Sequence, residues 1–130
     1  MANLKVLLVD DEGDFRKILG VRIRAWGYDF IEADSGEKAI DILAHQGPDI
    51  VILDYLMPGM DGVSTLREIR KLDNKIPVIM LTAHLHEKTI TEVKDLGVSA
   101  FVPKISAYTD TISALQAALK ITEDQSHKKK

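Results

Sequence analysis

Three aspartates stand at the ends of two apolar segments of the chain. Asp10 and Asp11 directly follow the run 6–9, and Asp54 follows the run 50–53. Leucine and β-branched residues that do not alternate with polar ones are typical of central strands in a parallel sheet, because helices cover both faces of such strands. In open parallel sheets the ligand crevice lies at the carboxyl ends of the strands. The sequence therefore predicts that all three carboxylates lie in that crevice.

Carboxylates gathered at one site indicate a bound cation. Like charges a few ångströms apart disfavour one another's ionisation, and a hard divalent ion relieves this repulsion. Mg²⁺ suits the site, because it takes few protein oxygens, keeps water ligands and accepts a phosphate oxygen. The simpler interpretation is that Asp11 or Glu12 caps a helix beginning near Asp14, and that Asp54 is a loop carboxylate before a turn. The presence of Asp54 together with Asp10 and Asp11 favours the metal site.

The segment after the first apolar run lacks the common nucleotide-binding loops. Neither G-x-G-x-x-G nor G-x-x-x-x-G-K-[ST] occurs there, and the sequence reads Asp10-Asp11-Glu12-Gly13 instead. Carboxylates at this position repel a phosphate unless a cation stands between them. Phosphate chemistry at this edge is therefore predicted to depend on a metal.

Five β-α units account for nearly the whole chain. Apolar residues at helical spacing follow each of the strands predicted near residues 4–9, 28–33, 49–53, 77–81 and 99–102. Right-handed crossovers between short parallel strands give an open sheet with helices on both faces. We predict an α/β fold with a doubly wound, five-stranded parallel sheet of flavodoxin-like order 2-1-3-4-5. The order 3-2-1-4-5 is less favoured, because five strands leave no room for a second mononucleotide-binding half.

Side-chain spacing and turn residues predict where the helices lie. The first helix is expected to bury a stripe formed by Phe15, Ile18, Leu19, Ile23 and Trp26. Helix ends are predicted at Gly27, Gly47 and Gly97, and N-caps at Ser35 and at Asp110 or Thr111. The apolar stripes are core faces rather than cofactor-binding surfaces.

Composition indicates one compact domain. The chain has 130 residues, of which 45% are hydrophobic, and this is enough to build a core. We predict a domain over residues 1–122 and a polar, disordered tail over residues 123–130. The formal net charge is −3 although the tail ends in three lysines, so no direct nucleic-acid partner is expected. The absence of cysteine excludes disulfides and thiolate metal sites.

The apolar segments are short. The first spans about six residues, less than the core of a signal peptide. No stretch approaches the ~20 apolar residues of a membrane span. A cytoplasmic location without a membrane partner is therefore the default expectation.

Four motifs in order along the chain resemble a known family. They are Val9-Asp10-Asp11-Glu12, Asp54-Tyr55-Leu56-Met57-Pro58-Gly59-Met60-Asp61-Gly62, Leu81-Thr82-Ala83 and Lys104. Together they resemble the receiver domain of bacterial two-component response regulators, over residues 4 to about 121. One aspartate pair is a weak signal, but four motifs on successive strand ends are a strong one.

The resemblance implies a phosphoacceptor with a metal beside it. Asp54 would attack the phosphoryl group of a phosphohistidine on a sensor histidine kinase or phosphotransfer protein. Asp11 and Asp54 would bind Mg²⁺ directly, and the backbone carbonyl of Leu56 would be the third protein ligand. Asp10 would act mainly through a metal-bound water. Such a chain assists its own phosphorylation but turns over no metabolite.

The resemblance also implies a conformational switch. Lys104 would pair with one phosphoryl oxygen, and the Thr82 hydroxyl would turn toward another. Phe101 would follow Thr82 inward. The surface of the fourth helix, fifth strand and fifth helix would then change its affinity for a downstream protein or a covalently linked output domain. The simpler interpretations are a solvated loop cation for Lys104 and an ordinary strand residue for Thr82.

Two departures from the family pattern concern the fifth strand and its exit. Lys104 is followed by Ile105, where the family commonly has proline. We therefore predict a trans peptide after Lys104, because a non-proline cis bond costs about 2.5–4 kcal/mol, and a displaced or mobile loop over 105–108. Ala100 replaces the acidic residue often found before the aromatic. Dimerisation as in the winged-helix regulators is therefore not expected.

Two other functions remain open from the sequence. A Mg²⁺-dependent phosphohydrolase with an aspartyl nucleophile would use the same acids, but Leu56 stands where its second acid is needed, and no cap domain encloses a substrate. The other is a receiver that binds partners without being phosphorylated. It is opposed by the complete set of Asp10, Asp11, Asp54, Thr82 and Lys104.

Overall fold

A computed structural model describes residues 3–83, 87–105 and 108–128 of the chain. These residues form the strands β1 Lys5–Val9, β2 Asp29–Ala33, β3 Ile50–Asp54, β4 Val78–Thr82 and β5 Ala100–Pro103. The helices that alternate with them are α1 Gly13–Ala25, α2 Gly36–Gln46, α3 Gly62–Leu72, α4 Glu87–Asp95 and α5 Tyr108–Lys128. Every predicted strand is present, and its bounds lie within one residue of those expected.

The strands form one parallel sheet in the order β2-β1-β3-β4-β5. This confirms the predicted order and leaves β2 and β5 at the two edges. All residues of β3 and β4 are buried, as expected for strands covered by helices on both faces. Pro103 ends the edge strand β5, where its missing N–H costs no ladder hydrogen bond.

Alternate residues of the strands pack into two separate cores, one on each face of the sheet. One core joins α1 and α5 to the sheet through Phe15, Leu19, Ile23, Leu115 and Leu119. The other joins α2, α3 and α4 to it through Ala39, Val63, Leu66, Ile69 and Val93. Helices therefore cover both faces, and the predicted doubly wound α/β fold is confirmed.

Four of the predicted helix ends are confirmed. The Ser35 side chain accepts a hydrogen bond from the backbone N–H of Lys38 and so caps α2. Gly27, Gly47 and Gly97 follow α1, α2 and α4 with φ of 98°, 61° and 79°. These values lie in the left-handed region that closes the last turn of a helix and favours glycine.

Two other helix predictions are wrong. α5 begins at Tyr108, so Asp110 and Thr111 lie in its first turn and not at the N-cap. Ile18 was expected in the core stripe of α1 but is 42% exposed. It precedes the buried Leu19 by one position and therefore points about 100° away from it around the helix.

The last helix continues past the predicted boundary at residue 122. α5 ends at Lys128, and the Tyr28 hydroxyl donates a 2.9 Å hydrogen bond to the carboxylate of Glu123. The division into a domain and a tail stays a prediction, since residues 129 and 130 lie outside the described residues. In the part of the chain that the structure describes, no helix combines the length and apolar character needed to cross a membrane.

The peptide bond between Lys104 and Ile105 is trans, as predicted. The Thr111 hydroxyl fixes the chain on both sides of Lys104. It donates to the Pro103 carbonyl oxygen and accepts from the Ile105 N–H, both at 2.9 Å. The predicted displacement of loop 105–108 concerns residues 106 and 107, which lie outside the described residues.

Candidate functional site

The register of the sheet brings the ends of four strands to one edge. Val9 lies opposite Leu53, and Thr82 lies opposite Pro103. Asp54 ends β3 between them. The predicted site residues that meet at this edge are Asp10, Asp11, Asp54, Thr82 and Lys104.

The Lys104 ammonium contacts three carboxylates at this edge. Its Nζ donates to Asp10 Oδ2 at 2.8 Å and lies 3.5 Å from Asp54 Oδ2. The third partner is the Glu12 carboxylate, which forms an ion pair with Lys104. Nζ also lies 4.8 Å from the centre of the Phe15 ring, within cation–π range. The lysine therefore links the ends of β1 and β3 from the end of β5.

Asp10 is fully buried, and both of its carboxylate oxygens have donors. Oδ1 accepts the backbone N–H of Glu12 at 2.8 Å, and Oδ2 accepts Lys104. The backbone carbonyl of Asp10 accepts a 2.7 Å hydrogen bond from Arg16, whose Nε pairs with Glu32 at 2.8 Å. These bonds fix Asp10 as the anchor of the lysine.

Asp11 differs from Asp10 because it is exposed. Among the described residues, no hydrogen bond or ion pair holds its carboxylate. Oxygens of Asp10, Asp11 and Asp54 nevertheless all lie within 4.8 Å of one another. Hard oxygen donors at this spacing fit the predicted Mg²⁺. Asp11 is the member of the group most available to bind it.

Burial and crowding shift the pKa values in the site. Burial, together with the charge of Asp10, raises the pKa of Asp54 to about 7, and Lys104 opposes this only in part. Burial also raises the pKa of Asp10 despite its hydrogen bond to Lys104. Burial alone would lower the pKa of Lys104, but hydrogen bonds to Asp10 and Glu12 raise it above its ordinary value. A bound cation would favour the ionised acids, which is a second reason that the residues fit Mg²⁺.

The loop between β3 and α3 closes tightly behind Asp54. The Gly62 N–H donates a 2.9 Å hydrogen bond to the Tyr55 carbonyl oxygen, and the Asp61 side chain caps α3. The backbone N–H of Leu56 partly opposes the rise in the pKa of Asp54, whereas the Leu56 side chain is 57% exposed. The loop therefore holds the Leu56 backbone beside Asp54. The assignment of its carbonyl as a metal ligand stays a prediction.

Thr82 and Phe101 lie on the same face of the sheet. Thr82 is buried at the end of β4, and its carbonyl oxygen accepts a 2.9 Å hydrogen bond from the backbone N–H of Lys104. Phe101 lies opposite Met80, which is two residues before Thr82 on β4. Phe101 is half-buried against the core formed with α2, α3 and α4. The two residues of the predicted switch, Thr82 and Phe101, therefore lie on neighbouring strands and are two positions apart in the register of β4 and β5.

An open cavity of about 230 Å³ adjoins Lys104. It is lined by Glu12, Ala83, Lys104, Ile105 and Tyr108. The Tyr108 ring packs edge-on against Phe15, with ring centres 4.9 Å apart. The sequence analysis missed Glu12, Phe15 and Tyr108 as neighbours of the lysine. Glu12 carried a signal, since it directly follows the aspartate pair, but the ring contact depends on how α1 and α5 pack.

The fold and the site together define a class of protein: a doubly wound α/β domain with clustered acids and a lysine at the carboxyl edge of its sheet. The family model of the response regulator receiver domain matches residues 6–116. The chain therefore belongs to the response regulator receiver domain family, as its motifs predicted.

Comparison with curated proteins gives relatives of different lengths. The chain is 39% identical over 97 residues to sporulation initiation phosphotransferase F of Bacillus subtilis (strain 168), covering 75% of this chain and 78% of that protein. It is 39% identical over 118 residues to the probable transcriptional regulator ycf27 of Guillardia theta, covering 91% of this chain and 46% of that protein. Against the ycf27 protein of Porphyridium aerugineum it covers 34% of the relative. The chain thus spans less than half the length of the two ycf27 relatives.

Solved structures share the fold over nearly the whole chain. The receiver domain of the Francisella response regulator 1452 superposes with a TM-score of 0.84 at 26% identity, covering 95% of this chain and 99% of that one. The Vibrio cholerae chemotaxis protein CheY4 gives a TM-score of 0.80 at 26% identity, covering 90% and 99% of the two chains.

Proposed function

We propose that the chain is a phosphorylatable receiver that takes a phosphoryl group onto Asp54 and passes the signal on by changing its binding of a partner. The observation that carries the proposal is the position of Asp54. Its carboxylate is buried, lies 3.5 Å from the Lys104 ammonium and shares one edge of the sheet with two further aspartates. This combines a nucleophile, a cation and a metal-ligand set in one place.

The donor would be a phosphohistidine on a sensor histidine kinase or a phosphotransfer protein. A carboxylate oxygen of Asp54 attacks the phosphorus, the new O–P bond forms as the P–N bond breaks, and the released imidazole takes up a proton from solvent. The product is an acyl phosphate. Phosphoryl transfer needs mainly alignment and charge neutralisation, and the site offers both without a further acid or base.

The nucleophile must be ionised to react. A pKa of about 7 for Asp54 in the protein alone leaves roughly half of the molecules protonated at neutral pH. Asp10, Asp11, Asp54 and the Leu56 carbonyl would hold Mg²⁺, which neutralises charge on the acids and the phosphoryl oxygens when bound. Lys104 donates to a phosphoryl oxygen and keeps its place through Asp10.

The output would travel through Thr82 and Phe101. The Thr82 hydroxyl turns toward the new phosphoryl group, and Phe101 moves into the space next to it. A phosphoryl group that binds one of two conformations better shifts the population toward it. The altered surface of α4, β5 and α5 then binds a downstream protein or a linked output domain. We propose a cytoplasmic location because the phosphohistidine partner would be found there.

The test uses acetyl phosphate as a small phosphodonor. With Mg²⁺, intact-mass spectra are expected to show one labile phosphoryl group on the wild type and none on Asp54→Asn. Asp49→Asn is the matched control. Asp49 directly precedes β3, at the end of the strand away from Asp54, and accepts a hydrogen bond from the Lys5 N–H. Labelling of Asp54→Asn at the wild-type level would show that another residue is the acceptor. Sustained hydrolysis of a phosphomonoester would instead favour the aspartyl phosphohydrolase.

A further inference from the structure

We infer that Glu12 restrains the phosphorylation of Asp54 by occupying the Lys104 ammonium, and that it is a positioning residue which must release the lysine before a phosphoryl group is held. The inference rests on the proposed function, and it concerns Glu12, which takes no part in the phosphoryl transfer proposed above. Glu12 lies at the mouth of the site, on the short segment between β1 and α1.

The Lys104 ammonium has no hydrogen-bond donor to spare among its described neighbours. An ammonium has three N–H donors and no acceptor. Three carboxylates face those of Lys104, from Asp10, Glu12 and Asp54. Every donor therefore has a carboxylate partner in the protein as described. A phosphoryl oxygen on Asp54 can gain a hydrogen bond from Lys104 only if one of the carboxylates gives up its own.

The three carboxylates differ in how easily each can lose the lysine. The Asp10 side chain is 0% exposed, so leaving it without the lysine would strand a charge in the core. The Glu12 side chain is 53% exposed, and water can replace the lysine there. Asp54 gives up its own 3.5 Å contact only once it carries the phosphoryl group, so the choice while Asp54 attacks lies between Asp10 and Glu12. Glu12 is therefore the partner displaced at least cost.

Lys104 keeps its other contacts when Glu12 is removed. The ammonium keeps its 2.8 Å hydrogen bond to Asp10 and its position over the Phe15 ring. Its backbone stays bonded to the Thr82 carbonyl. Loss of Glu12 thus frees one donor without releasing the lysine from the site. It also removes a negative charge from the path of an anionic phosphodonor, which acts in the same direction.

The experiment compares Glu12→Gln with wild type and with Glu68→Gln. Glu68 is a matched control because it also pairs with a lysine, Lys71 at 3.0 Å, has a 41% exposed side chain and lies on the outer part of α3. Both variants lose the same charge, and the amide oxygen that glutamine keeps accepts a weaker hydrogen bond from the lysine than a carboxylate does. With Mg²⁺ present, Glu12→Gln is expected to accept phosphate from acetyl phosphate about two- to fivefold faster and to bind beryllofluoride correspondingly tighter, the range for a half-exposed ion pair. Glu68→Gln is expected to match the wild type.

A second readout follows the contact itself. In ¹⁵N-detected NMR of the metal-free protein, the Lys104 ammonium protons should exchange with water faster in Glu12→Gln than in wild type or Glu68→Gln. An unchanged exchange rate would overturn the inference, as would equal phosphorylation rates in all three proteins or an equal gain in both variants. If the wild type accepts no phosphate at all, the proposed function is wrong and the inference falls with it. A wild type that is labelled normally beside an unaccelerated Glu12→Gln removes the inference alone.

Discussion

Gly62 N–H donates a 2.9 Å hydrogen bond to the carbonyl oxygen of Tyr55, and this contact closes the loop that carries the backbone beside Asp54. The approach is so close that a β-carbon on Gly62 would lie 2.6 Å from both the Asp54 carbonyl oxygen and the Tyr55 Cα. Real β-carbons essentially never come so near to backbone atoms. The first residue of α3 therefore has to be glycine for steric reasons.

Gly62→Ala is expected to destabilise the protein by about 1–3 kcal/mol, because the backbone of β3 must shift to admit the methyl group. It should also slow labelling of Asp54. Gly13→Ala is the matched control, since Gly13 is likewise the first residue of a helix and its β-carbon would meet only Arg16 at 3.8 Å. Urea unfolding measures the change in stability of each variant. Similar midpoints for the two variants would contradict the steric argument.

Stability should depend on pH through Asp54. Its folded-state pKa of about 7 exceeds the ordinary value of 3.8. As pH falls from 7 toward 4, the folded protein takes up a proton that the unfolded chain does not hold, so stability rises; above pH 7 the buried charge is destabilising. Without metal, Asp54→Asn should therefore be more stable than wild type at pH 8, by on the order of 1–3 kcal/mol. This advantage should fade near pH 4.5.

Urea unfolding at pH 8 and pH 4.5 measures the difference in stability between Asp54→Asn and wild type. Asp49→Asn is the control, because it replaces an aspartate at the other end of β3. Mg²⁺ at pH 8 should reduce the advantage of Asp54→Asn, because the cation stabilises the ionised wild type. An advantage that grows on acidification would have the wrong sign and would reject the pKa argument.

The two aspartates after β1 should differ in their effect on metal binding. Both oxygens of Asp10 already accept hydrogen bonds, whereas Asp11 is exposed. Asp11→Ala should therefore weaken Mg²⁺ binding about tenfold or more, and Asp10→Ala should weaken it less. NMR titration with Mg²⁺ gives both affinities. A reversed order would reject the assignment of Asp11 as a direct ligand.

Arg70 on α3 binds the turn that follows α4 and the segment that precedes β4. Its guanidinium donates to the carbonyl oxygens of Leu96 at 2.6 Å, Ile76 at 2.7 Å and Gly97 at 2.9 Å. Arg70→Ala would leave partly buried carbonyls without donors, so a loss of about 1–3 kcal/mol is expected. Amide exchange at the end of α4 should also accelerate.

Arg67 on the same helix provides the comparison for Arg70. It forms an exposed ion pair with Glu92 on α4. Such pairs contribute about 0–1 kcal/mol, so Arg67→Ala should change the unfolding midpoint little. Equal losses for Arg67→Ala and Arg70→Ala would mean that surface charge, and not the carbonyl hydrogen bonds, stabilises this region.

The hydrogen bond from Tyr28 to Glu123 bears on where the domain ends. Tyr28→Phe should cost about 0.5–1.5 kcal/mol and speed amide exchange around residues 122 and 123. Glu123→Gln keeps an acceptor and should cost less. If neither stability nor exchange changes in Tyr28→Phe, the hydrogen bond does not hold the end of α5, and the boundary at 122 gains support.

Most of the fold could be predicted from the sequence because burial dictates it. Runs such as 50–53 have no polar side, so they require helices on both faces, and a parallel sheet then brings the following aspartates to one edge. Side-chain detail was less predictable. Ile18 lies at the border of its stripe, where a small rotation decides exposure. The contact between Glu12 and Lys104 joins residues 92 positions apart, and it depends on where the end of β5 places the lysine that follows it.

The hydroxyl of Thr111 binds both Pro103 and Ile105, and so it ties the first turn of α5 to the residues on either side of Lys104. The position of α5 and the position of the Lys104 side chain are therefore mechanically coupled through Thr111. If α5 binds a partner as proposed, a displacement of the helix would be transmitted through Thr111 to Lys104, and a displacement of Lys104 would be transmitted to the helix. Under the proposed function, thermodynamic linkage then requires that a partner bound to α5 changes the affinity of the acids for Mg²⁺ or beryllofluoride by the same factor as those ligands change the affinity for the partner.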